Sequence, residues 1–395
     1  MPNYLAPGVY IYEESTGSRP IERVGTSVAA FIGDAPNTAA FPGSPQAVNN
    51  WSEFLRRFVP EAGTSNLLTH AVWGFFLNGG TRCYVVNSAG VDLRKCLAKL
   101  EAYDDVKIVA APGRSEPDVY DAVLTHCETM KDRVAVLDGP LEFAEVVRLK
   151  DVASVDSAPS RKKASADDTA APVGYRARAS KYGAYYVPWL LVKDPIDLRA
   201  TDPVPVPPSG HIAGIYARTD ATRGVHKAPA NEIVRGAQGL MYRFTQQEQE
   251  VLNPNGVNCI RFFQGTGVKV WGARTLSADS EWRYLPVCRL FCMIEESIAR
   301  STTWAVFEPN DDRLWKKLSH SVTAFLTPLW REGALLGATR EEAFFVKCDR
   351  ETNPDEVIDA GQVVMVIGIA PVKPAEFVIF RIGQRVGGTD VDVNG

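Results

Sequence analysis

Cys288 and Cys292 stand one helical turn apart, and two thiols on one helix face are half of a soft-metal site. No His or Cys pair at zinc-like spacing supplies further ligands, so the pair reads as core packing. His126 and Cys127 are the residue types of a base and a thiolate nucleophile, but neighbours on a helix point in different directions. The stretch from Ala217 to His226 crowds Arg218, Asp220, Arg223 and His226 together, a composition that charge pairing in a loop produces equally well. Gly265 and Gly267 have dinucleotide-binding spacing, yet Gly272 follows five residues later through strand-like text. A tight turn between strands is the reading there. Asp390 and Asp392 lack the spacing of a calcium loop. The motifs G-x-x-x-x-G-K-[ST], G-x-S-x-G and H-E-x-x-H are absent. The sequence thus calls for no catalytic residue, no cofactor and no metal.

The elements that would position such residues belong to an ordinary globular chain. Its 395 residues exceed the roughly 250–300 at which one core stops growing, so two domains are expected. Hydrophobic residues make up 45% and charged residues 23%, and a net charge of -4 gives no support for a nucleic-acid surface. No run of about 18 apolar residues is present, so no membrane insertion is expected. The opening MPNYLAPGVY has no basic segment leading into an apolar one, so no signal peptide is expected. The seven scattered cysteines, with no C-x-x-C pair, read as reduced thiols of a cytosolic synthesis compartment.

Pro2 and Pro7 force an extended start, and Gly8 to Glu14 is β-branched and aromatic, the pattern of a strand. Ser15 to Arg23, with Gly17 and Pro20, reads as a linker. Strands are expected at 27–32, 82–86, 106–110 and 134–137, with helices at 51–58, 66–77, 91–100 and 118–131 between them. That alternation predicts βαβ units and a largely parallel sheet. The segment 157–172 has no apolar periodicity and reads as a surface loop. The α/β pattern returns at 185–192, followed by a Pro-rich stretch and a helix at 209–217. Strands are expected at 257–263 and 268–271, a helix through Val287, Leu290, Ile294 and Ile298, and another from Leu314 to Leu329, kinked or ended near Pro328. Strands at 343–348, 362–369 and 376–382 precede a loose tail.

Several blocks, in order from residue 5 to 382, resemble contractile tail sheath proteins. They include Leu5 to Glu14, Gly25 to Gly33, Pro207 to Asn231, Val270 to Leu276, Phe307-Glu-Pro-Asn310, Val346 to Asp349 and Gly368 to Ile382. The wording is most similar to that of phage-tail-like contractile injection systems, within a family that also includes phage tails. Only about 140–200 lacks a shared pattern.

The resemblance implies a structural, non-catalytic subunit. Such chains form a helical homopolymer of six-membered rings around an inner tube, on a baseplate and below a tail terminator. They contact no nucleic acid directly, assemble in the bacterial cytoplasm, and end in a released or virion-like particle. The implied architecture is α/β plus α+β: an N-terminal arm and linker (1–24), and an outer βαβ-type domain (25–240) with an insertion at about 151–175. An inner mixed domain (241–384), formed with the extended N-terminal strand, and a tail (385–395) complete it. The implied inter-subunit arm is Val9, Tyr10, Ile11, Tyr12 and Glu13. The implied C-terminal strand is Phe377, Val378, Ile379, Phe380, Arg381 and Ile382, which is equally readable as part of the subunit's own core. Arg313, Lys316 and Lys317 on the 311–330 helix are the implied tube contact.

For the arm, about five backbone hydrogen bonds at roughly 1 kcal/mol each are offset by ordering costs of roughly 1–2 kcal/mol per residue. Burial of Val9 and Ile11, or of Tyr10 and Tyr12, at roughly 1.5–3 kcal/mol each must decide its pairing. An α/β enzyme with a convergent polar site, and another tail or baseplate component, are the competing expectations.

Overall fold

Short apolar runs rich in Val, Ile and Ala become the strands of one large sheet. The computed structural model describes residues 20–61, 63–153, 174–197 and 199–379. In chain order come β1 (Ala29–Gly33), β2 (Gln46–Val48), α1 (Trp51–Phe58), α2 (Leu67–Leu77), β3 (Cys83–Asn87), α3 (Leu93–Leu100), β4 (Ile108–Ala110), α4 (Pro117–Met130), β5 (Val134–Asp138) and β6 (Gly183–Val187). Asn50, Asn66 and Asp92 cap α1, α2 and α3 by accepting backbone N–H bonds from Glu53, Thr69 and Arg94, which is why these helices begin where they do. Next are β7 (Leu190–Val192), β8 (Val204–Val206), α5 (Ser209–Arg223), β9 (Ala237–Leu240), α6 (Gln246–Leu252), β10 (Val257–Phe263) and β11 (Gly267–Val270).

The eight-stranded sheet has the order β11-β10-β6-β5-β4-β1-β3-β2. Its six central strands are parallel, and β2 and β11 are antiparallel edges. Strands β3, β5 and β6 are buried at every position, as expected of a sheet covered on both faces. Helix α2 packs on α5 closely enough that a Cβ at Gly210 would lie 2.2 Å from the Ala71 carbonyl oxygen. A side chain at that position would force the two helices apart.

The last third is built differently: α7 (Leu285–Ser301), α8 (Asp312–Arg331), α9 (Arg340–Ala343), β12 (Phe344–Lys347), α10 (Asp355–Asp359) and β13 (Val366–Ile369). Helix α7 is shared by two cores. Leu285, Cys288 and Cys292 enter the core of the large sheet, while Leu290, Met293 and Ile294 join a second core with Val322, Phe325 and Leu326 of α8. A helix that buries opposite sides in this way is a spine, not a surface element.

Several expectations need correction. The strand expected over 185–192 is two: β6 lies in the large sheet and β7 in a separate sheet of order β8-β7-β9. Pro188 has no N–H to continue the ladder between them. The Pro-rich stretch contributes β8, an edge strand, where Pro205 is tolerated. Helix α5 runs to Arg223 and ends at Gly224, so Arg218, Asp220 and Arg223 are helical rather than in a loop. Pro328 does not end α8, which continues to Arg331, since only one backbone bond is lost near the helix end. The boundary expected at 240/241 falls inside the sheet-bearing part, because β10 and β11 pair into the large sheet. Residues 376–379 form no strand.

Candidate assembly surface

The described chain begins as a strap laid along α7. Ser301 and Ser297 hydroxyl oxygens accept from the Glu22 and Val24 N–H groups at 3.2 and 3.1 Å, and Arg23 pairs with Glu332 at 2.8 Å. Ile21 and Val24 pack on the second core. Thr26 donates to Asp220 at 2.5 Å, and the same carboxylate holds Arg289 at 2.6 Å. Arg289 also donates to the Thr26 carbonyl at 3.0 Å. Both charged groups are buried, so each requires the other. Asp220, one of the charges crowded between Ala217 and His226, is therefore a structural anchor that joins strap, α5 and α7.

A second ionic cluster ties the sheet to the spine. Lys107 reaches Glu296 at 2.6 Å and Asp132 at 3.5 Å, and Glu296 also pairs with Arg300. Burial pushes the Glu296 carboxyl up, against the opposing pull of Lys107.

The two-stranded sheet of β12 and β13 pairs Phe344 with Ile369 through to Lys347 with Val366. Phe345 lies over Gly368, where a Cβ would come within 2.1 Å of its ring. Neither outer edge carries a further strand among the described residues. An isolated two-stranded ribbon is marginal in water, and an open edge is a template for another strand. Phe345 and Val366 are exposed on it.

From β13 the chain bonds back to the 334–336 turn through Leu336 to Ala370 and Val372 to Ala334. It then meets a buried clamp. Arg274 donates through Nε to Glu376 at 2.9 Å, pairs with it again through Nη2, and donates to the Asn253 carbonyl at 3.1 Å. Immediately beyond, Phe377, Val378 and Ile379 are 74%, 72% and 83% exposed. The reading of these three as part of the subunit's own core is thereby corrected. Glu376 is anchored to the body, and Phe377, Val378 and Ile379 are exposed beyond it.

Arg313 and Lys316 are exposed on α8, whereas Lys317 is half-buried with its ammonium 4.2 Å over the Trp304 ring. Val9, Tyr10, Ile11, Tyr12 and Glu13, together with Phe380, Arg381 and Ile382, lie outside the described residues. Cys288 and Cys292 are buried, and the Cys288 contact followed by burial pushes the Cys292 thiol up. Burial likewise pushes the Cys127 thiol up. Gly265 and Gly267 take positive φ in the turn between β10 and β11. Among the described residues no three His, Cys, Asp or Glu side chains gather as metal ligands, and no helix is long and apolar enough to cross a membrane.

The profile of the phage tail sheath protein central domain matches residues 87–276, and that of the phage tail sheath C-terminal domain matches 277–385. The chain is 28% identical over 185 residues to a putative prophage major tail sheath protein of Pseudomonas aeruginosa, 45% of each chain. It is 26% identical over 279 residues to the tail sheath protein of Salmonella phage ViI, 69% of this chain and 42% of that one. The matched stretches thus span less than half the length of these curated relatives. Solved structures match throughout. The sheath of the PVC extracellular contractile injection system, in its contracted state, is 31% identical with a TM-score of 0.78, covering 98% of this chain and 99% of that one. The contracted helical sheath of the anti-feeding prophage is 29% identical with a TM-score of 0.77, covering 97% and 100%. With both sheath domains present and a contracted sheath subunit matched end to end, this chain belongs to the contractile tail sheath family.

Proposed function

We propose that this chain is a structural subunit that polymerises with its own copies into a contractile sheath. The sheath surrounds an inner tube on a baseplate, and its shortening drives the tube through a target envelope. No catalytic step is involved. One observation carries the reading: an open-edged, two-stranded sheet and three exposed apolar residues just beyond a clamped root, both in a chain that matches a contracted sheath subunit over almost its full length.

In this reading β12 and β13 accept strands from neighbours, the arm Val9 to Glu13 of one copy and the segment 377–382 of another. Identical chains joined by β-augmentation form a continuous mesh. Completing the ribbon satisfies its edge N–H and C=O groups and covers Phe345 and Val366. Six-membered rings are supported by the six-fold symmetry of the anti-feeding prophage baseplate, whose matching chain is 30% identical. Arg313 and Lys316 are the tube-facing candidates, with Lys317 partly occupied by Trp304. Assembly in the bacterial cytoplasm and release in a particle follow from the same reading.

Electron microscopy of the purified chain tests it. Hollow, ridged tubes are expected from the full chain, and dispersed particles would refute the polymer. Removing residues 1–14 is expected to leave a folded monomer, and sheaths of normal length from that variant would remove the arm from the scheme.

A further inference from the structure

Half of the exposed large apolar residues of the last third lie on the ribbon or just beyond the clamp, and Phe307 is the most exposed of the others. Phe307 lies in the loop between α7 and α8 and is fully exposed, next to Val306 at 62%. Its φ is +68°, a left-handed, strained conformation that a bulky side chain seldom adopts. Strain at a solvent-exposed aromatic gains the monomer nothing.

The loop is nonetheless firmly held. The Val306 and Glu308 N–H groups donate to the carbonyls of Thr303 and Ala305. Asn310 accepts from the Trp315 indole at 2.8 Å and donates to the Gln362 carbonyl at 2.8 Å. Phe307 is thus a pre-organised knob, with little ordering left to oppose binding, and aromatic side chains of this kind dominate interface energetics.

The same chain carries a matching hollow. A groove of about 320 Å³ lies between the strap and the second half of α8, lined by Ile21, Arg23, His320, Ala324, Phe325 and Pro328. Its floor is apolar, and Arg23 stands at its rim, shared with Glu332. The knob is bordered by exposed Glu308, Asp311 and Asp312, carboxylates that the Arg23 guanidinium can meet. Knob and groove sit at opposite ends of α8, with Asp312 and Ala324 roughly 18 Å apart along the helix axis. A contact between one knob and one groove at different places on the surface is heterologous. It builds a ring or an open filament and does not close a two-fold pair.

We propose that Phe307 of one subunit inserts into the Ile21–Phe325–Pro328 groove of a second copy, a subunit contact separate from strand exchange. It rests on the polymer reading above. Exchanged strands would hold neighbours together, whereas a rigid knob in a groove sets the distance and angle between two bodies.

The test replaces Phe307 with photoreactive benzoyl-phenylalanine in full-length chain, assembled with an equal amount of ¹⁵N-labelled chain. Illumination is expected to join position 307 to a peptide spanning 320–331 of a differently labelled copy. A crosslink within one chain, a crosslink to another protein such as a tube subunit, or no crosslink in polymers that have formed each overturns the contact alone. Failure of the wild-type chain to polymerise at all overturns the polymer reading, and the contact with it. In parallel, Phe307→Ala is expected to raise the concentration needed for polymerisation about thirtyfold. Phe307→Trp should restore most of that loss, and neither should move the melting temperature of the monomer. An unchanged critical concentration for Phe307→Ala counts against the knob.

Discussion

The sheet-bearing part and the last third of this molecule solve the same problem, hiding apolar side chains, to different degrees. Around the large sheet, Phe31, Phe75, Tyr120, Tyr185 and Tyr216 are all buried inside one subunit. Between residues 306 and 379, by contrast, lie half of the large apolar side chains that are exposed among the described residues. A monomer rarely leaves so many uncovered without a partner surface to meet them. The first region is finished by its own folding. The second keeps apolar surface uncovered for the contacts proposed above, and the spine α7 and its ion pairs join the two.

The sharpest way to break this comparison is to damage each region and read the monomer. Phe75 is wholly buried and meets Phe31 edge-on at 5.5 Å between ring centroids. Phe75→Ala is expected to cost about 3–5 kcal/mol in urea unfolding, by lost burial and a cavity. Phe345→Ser, on the open ribbon, is expected to shift the same measurement by no more than about 0.5 kcal/mol. Equal losses would mean that the ribbon is as self-sufficient as the sheet.

Much of the sheet-bearing part was legible in the sequence, because its information is local. Apolar runs of strand length, helices capped by Asn50, Asn66 and Asp92, and their alternation suffice to predict a parallel α/β sheet. The strand order was not legible, since pairing β6 with β10 joins residues about 70 apart through a segment of little periodicity. The break at Pro188 and the helical end at Gly224 had local signals that apolar periodicity alone passed over. In the assembly surface, the projection of 377–379 depends on the Arg274–Glu376 clamp, a contact across 102 residues. Phe307 was quoted only as one residue of a shared block. Its exposure and its positive φ are tertiary facts, invisible to composition or spacing.

Acid offers a second, smaller test of the difference. His211 is buried on α5 with neither ring nitrogen hydrogen-bonded, and burial pushes its pKa down to about 3. Burial, with Arg133 adding to it, pushes His126 down to about 4. In both cases the unfolded chain binds the proton more readily, so stability is fully present above pH 6.5 and is lost as pH falls towards the folded values. The loss is on the order of 3 kcal/mol for each group. Both histidines lie on helices of the sheet-bearing part, α5 and α4. Urea unfolding between pH 7 and pH 4 is expected to show the decline, and His211→Leu to flatten it. A slope unchanged by that substitution would place the acid sensitivity elsewhere.

The smallest effect expected on the monomer should accompany a large one on assembly. Replacing Phe377, Val378 and Ile379 with serine alters side chains that already face solvent, so unfolding should move by no more than about 0.5 kcal/mol. In a polymer each of these side chains would gain roughly 1.5–3 kcal/mol on burial. Losing all three removes several kcal/mol from every contact, which at about 1.4 kcal/mol per decade raises the polymerising concentration by about three decades or more. The Arg274–Glu376 clamp is untouched by these substitutions, so the root of the arm stays in place and only its apolar content changes. Two measurements on one variant then separate the possibilities. A marked loss of monomer stability would return 377–379 to the subunit's own core. Unaltered sheath assembly would mean that these exposed residues join nothing.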